Sequence, residues 1–199
     1  RLLQVLHRIS AGYFDAHGLE EKRVGHYLMV IKFHLSMVKG VICQPFADGP
    51  SNNPENPAMD IFMHIISNAK ERVNIMTPYL ILDDTMQDLL CLTSKSGIKV
   101  RFIVPGIPDK KIVHHLTVMH YGPLLQSGVE IYEYTPGFIH AKHCTNESSA
   151  VVGTINMDFR SFYTHFENGV WIPDGNVLKD IDDDFEKTLT QCRKVTYEE

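Results

Sequence analysis

The sequence predicts an α/β fold in which a mixed, mostly parallel sheet is flanked by helices on both faces. Beyond residue 57, short apolar runs rich in Val and Ile alternate with longer stretches of helical periodicity, which is typical of βαβ crossovers. The 199 residues, 44% of them hydrophobic, suffice for one sizeable core. The last third breaks the alternation, because two apolar runs lie too close together for a crossover helix. We therefore expect a hairpin there.

The first forty residues differ from the rest. Apolar residues recur at spacings of three and four over residues 20–38, which predicts an amphipathic helix with a basic polar face. A solvated surface helix is favoured over one that meets anionic lipid. The chain begins at Arg1 rather than at a start methionine. We therefore expect residues 1–40 to be the end of a preceding segment or a linker helix, and residues 41–199 to form the folded domain.

After a turn-rich linker at 48–57, the predicted elements follow in order. Helices are expected around 58–71, 84–96 and 109–127, and the strands between and after them at 73–77, 98–104 and 129–134. Asp83 and Asp84 are plausible caps of the second helix. The last third contains predicted strands at 137–144, 150–153 and 167–172, a helical turn at 156–163 and an amphipathic helix at 177–192.

Composition excludes several classes of function. Nineteen basic against twenty-four acidic residues give a net charge of −5, so no nucleic-acid partner is expected. The four cysteines are far apart without a CxxC pair, which argues against a zinc knuckle or a disulfide framework. Three histidines share the predicted helix at 109–127, but surface histidines are favoured over a zinc site there. No uninterrupted apolar stretch is long enough to span a membrane. We expect no metal and no cofactor.

His140 and Lys142 are the first candidates for chemistry. They lie two residues apart in a predicted strand, so both side chains project from the same face of the sheet. An imidazole can attack the phosphorus of a phosphate ester, and an ammonium can neutralise its non-bridging oxygens. A pair this short also occurs by chance.

Four further residues follow in an order that strengthens the signal. Thr154 and Asn156 come just after a predicted strand and can donate hydrogen bonds to phosphate oxygens. Gly153 before them permits a close approach of the backbone to a ligand. Glu167 begins the next strand and could orient the imidazole of His140 through one ring nitrogen.

These residues resemble the phospholipase D superfamily, whose mark is H-x-K-x4-D followed by G-[ST]-x-N, and in particular bacterial cardiolipin synthases. The similarity covers about residues 41–192. It rests on ordered phrases that include TPY at 77–79, GIKVRFIVP at 97–105, GIPDKK at 106–111, GVEIYEY at 128–134, GFIHAK at 137–142, GTINMDFRS at 153–161 and HFEN at 165–168.

The chain departs from the superfamily pattern in two ways. Glu147 stands where the motif has Asp, and the stretch between it and residue 150 is about one residue short. We keep Glu147 and Arg160 as supporting residues. The superfamily site uses two H-x-K motifs, whereas this sequence has one. A second phospholipase D-like half, in the same full-length chain or in a homodimer, is therefore an expected partner.

The resemblance implies a cardiolipin synthase-type phosphatidyltransferase. Such an enzyme joins two phosphatidylglycerol molecules into cardiolipin and glycerol through a phosphatidyl-histidine intermediate. By this resemblance, His140, Lys142 and Glu167 are catalytic, and Lys142, Thr154 and Asn156 bind the phosphate. The full-length protein would act at the bacterial cell membrane, with these 199 residues soluble or peripheral. Two alternatives stay open: a phosphodiesterase of the same superfamily that hydrolyses lipid or nucleic acid, and a non-catalytic lipid-binding half.

Overall fold

The computed structural model describes residues 36–38, 41–50 and 56–197. The strands are β1 (Ser36–Val38), β2 (Val41–Asp48), β3 (Arg72–Met76), β4 (Leu80–Ile81), β5 (Lys99–Pro105), β6 (Glu130–Tyr134), β7 (His143–Asn146), β8 (Ala150–Gly153), β9 (Met157–Asp158), β10 (Glu167–Ile172) and β11 (Cys192–Lys194). The helices are α1 (Pro57–Ser67), α2 (Asp84–Lys95), α3 (Lys111–Met119), α4 (Tyr121–Gln126), α5 (Phe159–Tyr163) and α6 (Val177–Leu189).

Nine strands form one mixed sheet in the order β1-β2-β10-β8-β7-β3-β5-β6-β11, and β4 pairs with β9 separately. The α/β class is confirmed, but the expectation of a mostly parallel sheet is wrong. Within the nine-stranded sheet the parallel pairs are β3 with β5 and β5 with β6, and the other pairs are antiparallel. The reason is that helical crossovers connect these three strands, whereas β7 reaches β8 through a tight turn.

Helices cover both faces of the sheet, as expected. Because side chains alternate along a strand, Val73 and Ile75 pack on one face with α1, α2 and α4. Met76 and Ile103 point to the opposite face and contact Phe185 of α6. The sheet is therefore a central layer with apolar residues on both sides.

A polar network also attaches α6 to the sheet. Arg101 is 5% exposed, and its Nε donates to Asn74 Oδ1 at 2.9 Å. Its guanidinium also donates to Glu186 Oε1 at 2.6 Å and lies 5.1 Å from the ring centroid of Phe185. The buried cation thus has hydrogen-bond partners on both elements, which satisfies its donors between the layers.

Local signals locate most element boundaries within a few residues. Asp83 caps α2 by accepting the main-chain N–H of Met86 at 2.8 Å, as predicted. Gly97 and Gly128 take positive φ angles of 96° and 92° in the turns after α2 and α4, a backbone region that favours glycine.

Three sequence expectations fail locally. The predicted helix over 20–38 lies mostly outside the described residues, but its last three residues form β1, because they pair antiparallel with β2. The predicted helix over 109–127 is divided at His120 into α3 and α4, and Pro123 has no N–H with which to continue one helix. The predicted strand over 137–144 begins at His143. None of the helices in the described part of the chain is long and apolar enough to cross a bilayer.

Candidate active site

The predicted site residues meet at one edge of the sheet because of how the strands run. The parallel strands β3, β5 and β6 all end at this edge. Strand β7 is antiparallel to β3 and starts there, with His143 opposite Met76. Strand β8 returns to the same edge, where Gly153 lies opposite Gly169 near the start of β10. The segments that carry His140, Thr154 and Glu167 therefore converge although they are distant in sequence.

His140 and Lys142 lie in the segment before β7 and not within a regular strand, so the basis on which we predicted a shared strand face is wrong. Lys142 turns its side chain back and donates from Nζ to the main-chain carbonyl of His140 at 2.8 Å. The carbonyl of Lys142 accepts the N–H of Gly153 at 3.3 Å, which holds the lysine beside the end of β8. The two residues are close together, as predicted, through a local hydrogen bond.

Burial and the charge of Lys142 favour the neutral form of His140. Partial burial lowers the pKa of the imidazole below its usual 6.5, and the charge of Lys142 lowers it further, while Asp109 opposes the shift. The ring of Phe138 lies beside the imidazole at a tilt of 34°, with centroids 5.7 Å apart. A neutral imidazole keeps a lone pair available, which a nucleophile needs.

Burial also lowers the pKa of Lys142, whereas the carboxylates of Glu167 and Asp158 oppose that shift. The ammonium is half-buried and faces acidic groups from two neighbouring elements. These carboxylates favour the charged form of Lys142, the form that can neutralise a phosphate.

Glu167 is 6% exposed and is the centre of the hydrogen bonds in the site. One carboxylate oxygen accepts the hydroxyl of Thr154, and the other accepts the hydroxyl of Ser161 at 2.9 Å. The Nδ1 atom of His165 lies 3.4 Å from the second oxygen. Among the described residues these are the side-chain partners of Glu167, and His140 is not one of them. Glu167 therefore holds the hydroxyl of Thr154 in place and does not orient the imidazole of His140.

Thr154 and Asn156 lie after β8, as expected, and both connect to Glu167. Thr154 accepts the N–H of Asn168 at 3.0 Å and is exposed. The main-chain N–H of Asn156 donates to the Ser161 hydroxyl at 3.2 Å, and that hydroxyl in turn donates to Glu167. In the described part of the chain, the buried side-chain oxygen of Asn156 has no hydrogen-bond partner. The carboxylate of Glu167 thus positions Thr154 directly and Asn156 through Ser161.

Gly153 has a steric role at this edge. A Cβ atom added to it would lie 2.3 Å from the main-chain oxygen of Asn168 and 2.7 Å from Cα of Gly169. Glycine therefore lets β8 and β10 approach closely just before Thr154.

The structure does not bring Glu147 to the site. This residue follows β7, and the four residues of that strand separate it from Lys142, so the two are about 16 Å apart at the usual rise per residue. Its carboxylate instead accepts the main-chain N–H groups of Lys70 at 2.7 Å and Glu71 at 3.4 Å. Burial raises the pKa of Glu147, but these backbone hydrogen bonds outweigh that effect and lower it. Glu147 joins two loops at the opposite edge of the sheet.

Arg160 lies on α5, and its side chain is exposed. The residue before that helix, Asp158, caps it by accepting the N–H of Ser161 at 2.6 Å. Arg160 is thus near the site through its helix, and in the described part of the chain no ion pair or hydrogen bond joins its side chain to His140 or Lys142.

Sequence reasoning gave no role to several residues at this edge. Tyr79 donates its hydroxyl to Asp109 at 2.7 Å, and partial burial together with Asp109 raises the pKa of Tyr79 to about 12. Asp109 follows the end of β5, so the rule that parallel strand ends converge could have identified it. No sequence pattern indicates Ser161 or His165, and only their contacts with Glu167 in the structure identify them as part of the site.

In the described residues, His, Cys, Asp and Glu form no group of three that could hold a metal ion.

Comparison with known proteins supplies independent information. The family model described as cardiolipin synthase, PLD-like domain, matches residues 62–189. An uncharacterised protein of Streptococcus mutans is 43% identical over 165 residues, covering 82% of this chain and 35% of its own length. The major cardiolipin synthase of Bacillus subtilis is 40% identical over 139 residues, covering 69% of this chain and 29% of its own length. A cardiolipin synthase of Clostridium perfringens is 38% identical over 152 residues, with coverages of 74% and 32%. The chain thus spans about a third of the length of these curated relatives.

Solved structures share the fold at low sequence identity. The phospholipase D family member Nuc from Salmonella typhimurium superposes with a TM-score of 0.64 at 18% identity, covering 76% of this chain and 99% of that one. The phosphatidylserine synthase of Haemophilus influenzae has a TM-score of 0.63 at 16% identity, covering 78% of this chain and 40% of that one. These likenesses concern the fold alone.

Proposed function

Because the chain belongs to the family of cardiolipin synthase, PLD-like domains, we propose that it is the part of a phosphatidyltransferase that carries one H-x-K motif. The whole enzyme joins two phosphatidylglycerol molecules into cardiolipin and releases glycerol. The observation that supports this proposal is the convergence of His140, Lys142 and the Glu167–Thr154 pair at one edge of the sheet.

In the first step, the neutral imidazole of His140 attacks the phosphorus of one phosphatidylglycerol. A P–N bond forms, the P–O bond to the glycerol headgroup breaks, and the departing glycerol oxygen takes a proton from a general acid. The ammonium of Lys142 neutralises the non-bridging oxygens, and the side-chain amide of Asn156 can donate to them. The single hydroxyl proton of Thr154 is donated to Glu167, so Thr154 orders this segment and does not donate to the phosphate. The product is a phosphatidyl-histidine.

In the second step, the headgroup hydroxyl of another phosphatidylglycerol attacks the phosphorus. This hydroxyl loses its proton to the conjugate base of the general acid, the P–N bond breaks, and His140 returns to its neutral form. Glu167 acts indirectly, by holding Thr154 and Ser161 in place for both steps.

The general acid has to lie on the opposite side of the phosphorus from His140, and the 199 residues contain one H-x-K motif. We therefore propose that a second phospholipase D-like half supplies it, either from the same full-length chain or from a homodimer. Full turnover by a strictly monomeric 199-residue chain would contradict this part of the proposal. Size-exclusion chromatography with light scattering, combined with an activity assay, tests it.

The proposed reaction is tested with the full-length protein and phosphatidylglycerol vesicles, followed by thin-layer separation of the lipid products. Cardiolipin is the expected product, formed at the bacterial cell membrane in vivo. Phosphatidic acid instead of cardiolipin would indicate a hydrolase, in which water replaces the second lipid. Binding of the vesicles without any new lipid would indicate a non-catalytic half.

A further inference from the structure

Helix α3 has an unusual distribution of exposed side chains. Ile112, Leu116 and Met119 are 80%, 42% and 72% exposed, and their spacing of four and three residues places them in one row along the helix. We call these three residues the α3 stripe. The buried residue of α3 is Thr117, which is 2% exposed. Surface helices ordinarily turn the apolar stripe inward, so this helix has the reverse arrangement.

A specific hydrogen bond holds α3 in this orientation. The hydroxyl of Thr117 accepts the main-chain N–H of Leu80 at 3.2 Å and so satisfies a donor at the start of β4. Turning the α3 stripe inward would break this bond. The exposure of the three apolar side chains is therefore a consequence of how the helix is attached.

The α3 stripe adjoins the candidate active site. Asp109 lies two residues before α3, accepts a hydrogen bond from Tyr79 and acts electrostatically on His140. Between Asp109 and the stripe lie Lys110 and Lys111, both exposed. No ion pair joins either lysine to another residue in the described part of the chain. An apolar row next to two free cations is the pattern of a surface that meets an anionic bilayer.

We propose that the α3 stripe, with Lys110 and Lys111, is a docking surface for an anionic phospholipid bilayer. The apolar side chains enter the boundary between headgroups and acyl chains, and the ammonium groups contact lipid phosphates. The inference rests on the proposed function in one respect: a site that acts on a lipid phosphate needs the bilayer beside it. Docking through α3 brings that phosphate close to His140.

Binding to vesicles provides the first test, because it is measured without turnover and so does not depend on whether cardiolipin is formed. Co-sedimentation with vesicles of phosphatidylglycerol and phosphatidylcholine should weaken at least tenfold in the combined variant Ile112→Ser, Leu116→Ser and Met119→Ser. The matched control is Leu92→Ser, since Leu92 is 66% exposed on α2, and it should bind like the wild type. Lys110→Gln with Lys111→Gln should weaken binding to these vesicles and leave binding to pure phosphatidylcholine unchanged.

A fluorescent reporter provides a second test that needs a single substitution at the surface. The chain has one tryptophan, Trp171, so an added tryptophan can be read as a difference from the parent protein. Met119→Trp should be quenched by vesicles with brominated acyl chains, whereas Leu92→Trp should not. Equal quenching at both positions, or none at residue 119 in bound protein, would overturn the proposal. A dimer seen by light scattering that dissociates in the triple serine variant would also overturn it, because the stripe would then bind a second copy of the chain.

Discussion

The side chain of Lys142 donates to the main-chain carbonyl of His140, with 2.8 Å between Nζ and the oxygen. The hydrogen bond keeps the cation near the imidazole, and the charge of Lys142 helps to lower the pKa of His140. Removing the side chain of His140 and removing that of Lys142 should therefore have different effects on the proposed chemistry.

His140→Ala should abolish cardiolipin formation by the full-length protein, because it removes the nucleophile. Lys142→Ala should reduce turnover on the order of a hundredfold or more through lost stabilisation of phosphate charge. His64→Ala, at an exposed position on α1, is the control and should keep near wild-type activity. A His140→Ala protein that still forms cardiolipin at the wild-type rate would refute the assignment.

Activity should fall below pH 6.5 as His140 becomes protonated, since only the neutral imidazole is nucleophilic. The pKa of His140 is lowered, so the midpoint of this acid limb should lie below 6.5. Asp109→Asn removes the charge that opposes the lowering and should move the midpoint to still lower pH. Profiles of kcat/KM against pH for both proteins provide the measurement. A midpoint above 6.5 in the wild type would contradict the prediction.

Glu167→Gln should reduce activity on the order of a hundredfold, because an amide offers one oxygen where two hydroxyls now donate, and Thr154 loses its position. Glu147→Gln should keep activity near the wild-type level, since Glu147 binds the backbone of the loop before β3. Its effect should be a loss of about 1 kcal/mol in stability. Assays and thermal unfolding of the two variants side by side would distinguish the roles, and a larger activity loss for Glu147→Gln would reverse them.

Gly153→Ala should destabilise the protein and reduce activity, because the added Cβ meets main-chain atoms of Asn168 and Gly169 that cannot move independently of the sheet. An increase in strain of about 1–3 kcal/mol is expected. Gly122→Ala is the matched control: no atom lies within 4 Å of its added Cβ, and it sits in α4. Denaturant unfolding should show unchanged or slightly higher stability for this variant.

His143 should make the stability depend on pH. Complete burial lowers its pKa from 6.5 to about 4, although Asp182 opposes the shift, and neither ring nitrogen has a partner among the described residues. Between pH 6.5 and 4 the unfolded chain binds the proton more tightly, so stability falls as the pH falls. About 2 kcal/mol should be lost by pH 5.

The control for this prediction is the variant His143→Leu, whose leucine side chain cannot bind a proton. Urea unfolding at pH 7.5 and pH 5 should show a smaller loss of stability in this variant than in the wild type. An equal loss in the two proteins would show that other groups account for the pH dependence.

Local pattern determined much of the chain between Pro57 and Tyr134. The observed α2, β5 and β6 begin and end within one or two residues of the prediction. Periodicity and capping involve residues that are close in sequence, so a single sequence contains that information. The ordered motif around His140 and Thr154 likewise identified the family, which the matching family model confirms.

What the sequence by itself determined was thus the α/β class and most helices and strands, and it provided the residues that we propose carry the chemistry. The tertiary structure decided that β7 pairs antiparallel with β3, that Glu167 holds Thr154 and Ser161, and that Glu147 lies at the other edge. It also decided that α3 buries Thr117 and exposes its apolar stripe. The physical reason is that strand pairing and side-chain hydrogen bonds join residues distant in sequence, and hydrophobic periodicity does not specify their partners.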